Sequence, residues 1–325
     1  MSKHNTMATV WGVAVAVLLL GSLAFGADVS PVPKRPSVQP YVSPPAPLKA
    51  DPDDYTGWVR LYVVEPTARW KDNNNQGYHF GFLDFALDSA IVLPDGSRYH
   101  RSLTWDASTA GWTGVTEGNI MVIATIFNSQ EYETGYSDPP YGSPFTAYYV
   151  DATAAAAVGE ADSNNTTPSS THTVFVEEAT ATWCIYCPTT NYYLHQVYAS
   201  GNYNFFYATM VIDMNVKADN WMDNHYNLTY VPTCYADGGD YVIVGGASPQ
   251  GPYQNMINTC ASRAVSDIGL LVGVEWIDPD IIQIDVALSH GTPVNTVPAA
   301  PAIPSGEAKP IIDTSYEYST STTDG

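Results

Sequence analysis

Residues 174–188 read VFVEEATATWCIYCP, and they decide the fold of the central part of the chain. The opening residues, VFVEE, have the composition of a short β-strand. After the second cysteine, apolar residues recur at helical spacing over 193–198, and Gly201 follows as a stop signal. The sequence therefore predicts that Cys184 and Cys187 lie where a strand ends and a helix begins.

This placement of the two cysteines suits thiol chemistry. The first main-chain N–H groups of a helix have no internal partner and carry the positive end of its dipole, so a thiolate at Cys184 would be stabilised. Cys187, separated from it by two residues, could turn back and attack a mixed disulfide. Half of a zinc site and a static structural disulfide are the alternatives. Cys234 and Cys260 stand singly, so they do not provide the second ligand pair that zinc needs.

The chain then continues to alternate between strands and helices. Four further elements are predicted, namely a strand over 205–212, a helix around 218–225, a hairpin on either side of 237–240 and a helix over roughly 253–265. A Val-Pro-Thr sequence at 231–233 precedes the hairpin. The predicted order is β-CxxC-α-β-α-Pro-β-β-α, an α/β arrangement.

With these elements, residues 172–265 resemble the thioredoxin superfamily. Three features match: the W-C-x-x-C at a helix start, the V-P-T whose Pro232 lies 48 residues after Cys184, and the acid Glu178 six residues before Cys184. The string FVEEATATWCIYCP is also similar to the exported, outer-membrane-type branch, which carries E-[ED]-x-T-x-x-W-C-x-x-C-P beside β-sandwich modules. The resemblance implies a thioredoxin-like domain that exchanges thiols and disulfides, with no cofactor and no metal.

The resemblance also implies catalytic roles. Cys184 would be the exposed nucleophile, Cys187 the buried resolving thiol, and Glu178 a buried carboxyl that exchanges a proton with Cys187. Glu177 competes with Glu178 for the inward position, because a shift of one residue reverses the face of a strand.

The implied substrate-binding residues surround the same site. Pro232, in cis, would keep a main-chain edge free for a substrate peptide. The main chain of Val231 would pair with that of the substrate peptide, and Thr233 would lie next to this edge. Trp183 would cover one side of the site.

Two features depart from the family pattern. Ile185 and Tyr186 are not the common Gly-Pro pair and carry no charge. Lys217 and Arg263 are the only basic residues among 172–265, against seven carboxylates. Long-range electrostatics would then stabilise a thiolate only weakly. We therefore expect a less acidic Cys184 and a weaker oxidising power of the cysteine pair.

The other two cysteines leave two equal alternatives. Cys234 follows the Val-Pro-Thr on a predicted strand, and Cys260 lies in the last predicted helix. They form either a structural Cys234–Cys260 disulfide or two buried free thiols. A redox relay to Cys184 is a more distant alternative.

The N-terminal residues predict export. A basic start is followed by an apolar run over 8–25, and Ala24-Phe25-Gly26 offers small residues to a signal peptidase, so residues 1–26 are predicted as a signal peptide. An uncleaved membrane anchor is the alternative. Residues 27–52, rich in proline, form a predicted spacer or a disordered leader. The rest of the chain is then extracytoplasmic (secreted, periplasmic or on the cell surface), where disulfides persist.

The flanking segments are β-rich. Residues 53–158 show strand patterns separated by turns, which predict an all-β immunoglobulin-like sandwich. Residues 72–77 match the start of a calcium loop, but Leu83 stands where a Glu ligand is needed, so a polar hairpin turn is expected. Residues 159–171 have the composition of a linker. Residues 266–325 are predicted as a β-hairpin, a linker and the start of a truncated β-module. The hairpin would have to pack on a neighbouring domain or begin a larger one.

The net charge of the chain argues against one class of function. The 325 residues have a formal net charge of −21, which argues against nucleic-acid binding because that binding needs Lys and Arg to neutralise phosphates. The first hypothesis is an exported thiol–disulfide oxidoreductase acting on exported or surface proteins through Cys184 and Cys187. The alternative is a surface binding or adhesion protein in which a redox-inactive thioredoxin-like domain serves as a scaffold. The oligomeric state does not follow from the sequence.

Overall fold

The computed structural model of the chain describes residues 32–33, 53–134 and 144–294. The predicted signal segment, nearly all of the spacer and residues 295–325 lie outside these ranges. The strands are β1 (Val32–Pro33), β2 (Tyr55–Lys71), β3 (Gly77–Leu93), β4 (Arg98–Asp106), β5 (Met121–Thr134), β6 (Phe145–Ala157), β7 (Ala161–Asn165), β8 (Val174–Thr180), β9 (Phe205–Val211), β10 (Tyr230–Val231), β11 (Thr233–Ala236), β12 (Tyr241–Val244), β13 (Ile268–Asp278) and β14 (Ile281–His290). The helices are α1 (Cys187–Ala199), α2 (Val216–Tyr226) and α3 (Gly251–Ala261).

The fold is mostly β, and its largest sheet is mixed. Eight strands follow the order β12-β11-β8-β9-β3-β2-β5-β6. β9 runs parallel to both β8 and β3, and the other pairs are antiparallel. The strands of residues 172–265 therefore share one sheet with those of the preceding segment. The junction is narrow, with Gly81 of β3 aligned to Thr209 of β9. A β-carbon at Gly81 would lie 2.6 Å from that of Ala68, so a larger residue here would force the two strands to shift.

A second sheet covers part of the first. Its order is β4-β14-β13-β7, all antiparallel. Apolar residues of both sheets form one buried core, among them Leu61, Val63 and Ile126 from the first and Leu270 and Ile284 from the second. The hairpin β13–β14 thus packs on the neighbouring β-rich segment, which is the first of the two alternatives predicted for it.

The predicted linker is partly structured. Ala161–Asn165, within the segment 159–171, form β7 and pair with β13. Thr166 is buried and its main-chain N–H donates to the carbonyl oxygen of Ile268. The linker prediction is therefore wrong for these residues. β7 is the edge strand of its sheet and its side chains alternate between exposed and half-buried, so its composition is polar and resembles that of a linker.

The helices lie on opposite faces of the large sheet. α1 and α3 contact each other, and the Tyr253 hydroxyl of α3 donates to Thr190 Oγ1 of α1 over 3.0 Å. α2 covers the other face, where its Trp221 and Tyr226 reach the carboxylate of Glu177 on β8. Successive residues of a strand point to opposite faces, so Glu178 points toward the α1 and α3 side.

A buried polar cluster holds α2 in place. The Glu177 carboxylate accepts hydrogen bonds from the hydroxyl of Tyr62 on β2 at 3.0 Å, from Trp221 Nε1 at 2.6 Å and from the hydroxyl of Tyr226. Burial raises the pKa of Glu177, and these donors oppose the shift. One donor from β2 and two from α2 thus bind the same carboxylate on β8, and they fix α2 against β2 and β8.

Within the described ranges, no helix combines the length and the apolar composition that crossing a bilayer requires.

Candidate functional site

The cysteine pair lies at the start of α1, as predicted. β8 ends at Thr180, and Cys187 is the first residue of α1, with Pro188 following in the first turn. Cys184 and Cys187 are joined by a disulfide. The main-chain N–H of Cys187 lies 3.1 Å from Cys184 Sγ. In the reduced protein, this donor and the helix N-terminus would stabilise a thiolate at Cys184.

Both sulfur-bearing side chains are buried, which corrects the prediction of an exposed Cys184. Cys184 is 0% exposed, whereas its neighbours Trp183 and Ile185 are 42% and 62% exposed. Cys184 Sγ lies 3.8 Å from the carbonyl oxygen of Val231, and Val231 is itself buried. The disulfide is therefore flanked by exposed apolar side chains while the sulfur faces the main chain of β10.

The Val-Pro-Thr segment lies directly against the disulfide. The Val231–Pro232 peptide bond is cis, in agreement with the resemblance. The carbonyl oxygen of Pro232 accepts from Gly245 N over 2.7 Å. Thr233 is buried and its hydroxyl donates to the carbonyl oxygen of Tyr230, so it stabilises the turn and is not presented to a substrate. The main chain of Val231 remains the group that a peptide could pair with, and in this structure it aligns with Val32.

Glu178 is the carboxyl on the cysteine side of the sheet. It is buried, aligned with Cys234 on β11 and with Thr209 on β9. Burial and then the charges of Cys234 and Glu178 raise the pKa of Tyr253, which contacts α1. Of the two neighbouring acids, Glu178 is favoured over Glu177 by its offset from Cys184, and the register places Glu178 on the α1 side.

Burial raises the pKa of Glu178, and one hydrogen bond opposes the shift. Thr209 Oγ1 lies 2.7 Å from the carbonyl oxygen of His79 and 3.1 Å from Glu178 Oε2. The Thr209 hydroxyl donates to both acceptors, and its hydrogen bond to Glu178 Oε2 opposes the rise in the pKa of Glu178. The other oxygen, Oε1, is buried with no hydrogen-bond partner. Burial accordingly raises the pKa of Glu178 to about 8.

This carboxyl should give the protein a characteristic pH dependence of stability. The folded-state pKa of Glu178, about 8, lies above its usual value. Its contribution to stability is therefore complete below about pH 4.3 and is lost as pH rises to about 8, on the order of several kcal/mol in total. Glu178→Gln keeps an oxygen that can accept from Thr209 and does not titrate. In urea unfolding at pH 5 and pH 8.5, we expect the variant to gain stability relative to the wild type at the higher pH.

Glu275→Gln is the matched control, because Glu275 is exposed on β13. It should leave the difference between the two pH values unchanged. Parallel pH profiles for Glu178→Gln and the wild type would show that Glu178 ionises normally in the folded protein.

The β2–β3 hairpin contributes contacts that the sequence did not predict. Asn73 Nδ2 donates to the carbonyl oxygen of Trp183 over 3.3 Å, and the Tyr78 hydroxyl donates to that of Ala181 over 3.1 Å. Asn191 of α1 donates to Gly77 O over 3.1 Å and lies 3.3 Å from Asp72 Oδ2. The hairpin thus holds the segment that leads into Cys184.

The same hairpin settles the interpretation of residues 72–77. Asp72 Oδ1 accepts from the main-chain N–H groups of Asn74 and Gln76, each over 2.9 Å. These are the hydrogen bonds of a turn closed by an aspartate side chain, so the polar hairpin turn is confirmed.

The two basic residues of 172–265 both form ion pairs with carboxylates. Lys217 Nζ lies 2.7 Å from Asp84 Oδ1. Arg263 forms ion pairs with Asp151, Asp237 and Asp240, at 3.4 to 3.5 Å. These ion pairs are consistent with the expectation that long-range electrostatics do little for a thiolate at Cys184.

Cys234 and Cys260 are free and buried, so the disulfide suggested between them does not form. Each thiol lies near a different carboxyl. Burial and then the charge of Glu178 raise the pKa of Cys234, while burial and then Asp237 and Asp240 raise that of Cys260. Ligand atoms of Asp237, Asp240 and Cys260 lie within 4.8 Å of one another. Since Arg263 pairs with both carboxylates, this group is an ion-pair cluster.

Thiol titration distinguishes the two alternatives for these cysteines. In the oxidised native protein we expect no reaction with Ellman's reagent, because the two thiols are buried and weakly acidic. After denaturation without reductant, two thiols per chain should react, and after reduction all four. A denatured protein with no reactive thiol would indicate a Cys234–Cys260 disulfide.

Exposed apolar side chains surround the disulfide. Trp183 and Ile185 flank Cys184, and Met214 and Val216 follow β9. The carboxylate of Asp213 accepts from the main-chain N–H of Thr182, which brings the segment after β9 beside the cysteine motif. These four residues, named the apolar rim below, provide a surface suited to apolar polypeptide segments.

Comparison with known proteins does not extend this description. A scan against models of protein families, a search of curated proteins and a search of solved structures each find no match for this chain.

Proposed function

We propose that the chain is an exported thiol–disulfide oxidoreductase of the thioredoxin-like class, acting on disulfides of exported or surface proteins. The observation that carries the proposal is the Cys184–Cys187 disulfide at the N-terminus of α1, with Cys184 Sγ against the main chain of Val231. A thiol pair that is to exchange disulfides with a polypeptide needs a stabilised thiolate and an adjacent peptide edge. The element order from β8 to α3 and the buried Glu178 support the class.

The exchange would proceed in two balanced steps. A substrate thiolate attacks Cys184 Sγ, a mixed disulfide forms, and the Cys184–Cys187 bond breaks with Cys187 leaving as a thiolate. A proton from Glu178 would neutralise that thiolate, and Glu178 would regain a proton from solvent. A second substrate thiolate then attacks the substrate sulfur of the mixed disulfide and releases Cys184, so the substrate gains a disulfide and the enzyme two thiols. The reverse sequence reduces a substrate disulfide.

The β-rich segment would hold this site. We assign residues 53–158 to the immunoglobulin-like sandwich class, with β2, β3, β5 and β6 in one layer and β4 in the second layer, which β7, β13 and β14 complete. Its hairpin contacts to Trp183 and Asn191 give it a role in positioning the cysteine motif. Export is supported by the composition of residues 1–26.

The second candidate is a binding protein with a static disulfide, and the complete burial of Cys184 favours it. The reduction potential discriminates between the two. Equilibration with glutathione or dithiothreitol buffers should give a potential above about −300 mV for an active pair, together with activity in insulin reduction or refolding of a scrambled protein. A potential well below about −300 mV, or inactivity in both assays, would instead support the scaffold. Cys234→Ser is the matched control, because Cys234 is buried and unpaired.

A further inference from the structure

Part of the chain itself lies along the peptide edge beside the disulfide. β1 pairs with β10 in an antiparallel two-stranded sheet, with Val32 aligned to Val231 and Pro33 to Tyr230. Val231 is the residue whose carbonyl oxygen lies 3.8 Å from Cys184 Sγ. The edge that a substrate strand would use is therefore taken by residues that precede the first globular segment by about twenty positions in the sequence.

We propose that the proline-rich leader is a resident ligand of this site: Val32–Pro33 occupies the main-chain edge at Tyr230–Val231 and must leave before another polypeptide can pair there. The inference rests on the proposed function for its consequence, namely restrained disulfide exchange. The binding of the leader to the edge does not depend on redox activity and can be measured separately.

The pattern of exposure around the disulfide agrees with an occupied edge. Cys184 and Val231 are both 0% exposed, although Trp183 and Ile185 of the apolar rim are open to solvent. The structure shows an open apolar rim around a closed reaction centre.

The residues of the leader suit a ligand that binds the site without reacting with it. The chain's four cysteines are Cys184, Cys187, Cys234 and Cys260, so the leader contains no thiol and cannot form a mixed disulfide. Proline favours extended backbone and removes a donor, so a proline-containing strand binds an edge and does not extend the sheet further. Lys34 and Arg35 follow the paired residues in a chain of net charge −21, which gives the leader favourable electrostatics.

The segment between β1 and β2 is long enough for the leader to bind its own chain. The site lies at the far end of β2, where the β2–β3 hairpin contacts Trp183. β2 has 17 residues, which span about 55 Å at the rise of a β-strand. The 22 residues from Lys34 to Tyr55 can cover about 68 Å at the rise of polyproline. Intramolecular binding is thus reachable, and a tether of this kind supplies an effective concentration of roughly millimolar.

Direct binding is the first test. A specific protease site in place of residues 43–48 would allow the leader to be cut from the folded full chain and removed. Isothermal titration of the cut protein with a synthetic peptide of residues 28–38 should give a dissociation constant below about 1 mM, because weaker binding would leave the tethered leader mostly free. A scrambled peptide of the same composition should bind at least tenfold more weakly. Absence of binding at about 1 mM, or equal binding of the scrambled peptide, would overturn the proposal.

Exchange kinetics is the second test and uses the uncut chain. Val32→Asp places an acidic side chain at the paired position of a strongly acidic protein, and Val38→Asp makes the same change outside β1. We expect the first variant to react with a cysteine-containing peptide at least fivefold faster than the wild type, and the second to remain within twofold. Equal rates for the two variants would count against the leader as the barrier.

The two tests separate this inference from the proposed function. If the peptide binds but no form of the protein exchanges disulfides, the leader is a ligand of a scaffold and the oxidoreductase proposal fails. If the protein is active, the peptide does not bind and cutting changes nothing, the oxidoreductase stands and this inference fails. If the occupancy of the edge in the uncut protein depends on protein concentration, the leader of a second copy occupies the edge. This outcome also contradicts the proposal.

Discussion

Cys184→Ser should abolish disulfide exchange, reducing the rate by about 10³-fold or more. A serine hydroxyl is far too weakly acidic and too poor a nucleophile toward sulfur to replace the thiolate that the Cys187 N–H and the helix terminus stabilise. Insulin reduction and refolding of a scrambled protein both measure the loss. Cys234→Ser, which removes a buried free thiol on β11, should keep nearly full activity.

The partner substitution should have a different outcome. Cys187→Ser leaves Cys184 reactive but removes the thiol that resolves the mixed disulfide, so a covalent complex with a substrate should accumulate and disappear on reduction. Non-reducing electrophoresis followed by mass spectrometry would locate the linkage. Failure to trap any complex with Cys187→Ser, together with full activity of Cys184→Ser, would exclude Cys184 as the nucleophile.

Glu177→Ala should lower the free energy of unfolding by about 4 kcal/mol or more. The substitution leaves the Tyr62 hydroxyl, Trp221 Nε1 and the Tyr226 hydroxyl without their buried acceptor and opens a cavity under α2. Urea unfolding of the oxidised protein, followed by circular dichroism, measures the loss. Since α2 lies on the face opposite α1, the redox potential of the folded variant should change little.

Milder and control variants keep the Glu177 prediction testable if that protein does not fold. Tyr226→Phe removes one donor and should cost roughly 1–3 kcal/mol. Glu275→Ala, at an exposed position of β13, should cost less than about 1 kcal/mol. A loss below 1 kcal/mol for Glu177→Ala would mean that the cluster does not hold α2 in place.

Local patterns predicted the cysteine site well. The alternation of strand and helix signals around residues 174–188 placed Cys187 at a helix start, and the resemblance to a known family pointed to Glu178 and to a cis Pro232. The helix start depends on neighbouring residues and can be found from one chain, whereas Glu178 and Pro232 needed the spacing of a known family for comparison. Thr209 also left a signal, since it is a polar residue in the otherwise apolar strand β9, although its partners could not be inferred.

Contacts between distant segments escaped prediction. Asn73 and Tyr78 reach Trp183 and Ala181 from more than a hundred residues away, and no periodicity or motif records such a pairing. β7 was mistaken for a linker because the exposed edge of a sheet tolerates polar residues. The burial of Cys184 also escaped prediction, because it depends on packing around Val231, which is distant in the sequence.

The sequence by itself determined the chemistry available to this protein: two thiols at a helix terminus, a carboxyl six residues before the first of them, and a proline next to the peptide edge. Only the tertiary structure decided what surrounds these groups. The register of β8 turned Glu178 toward the cysteines and Glu177 toward α2, and a two-residue strand from the leader took the edge at Val231. The physical reason is that residue type and spacing fix local reactivity, whereas burial, protonation and access depend on which distant segments pack against the site.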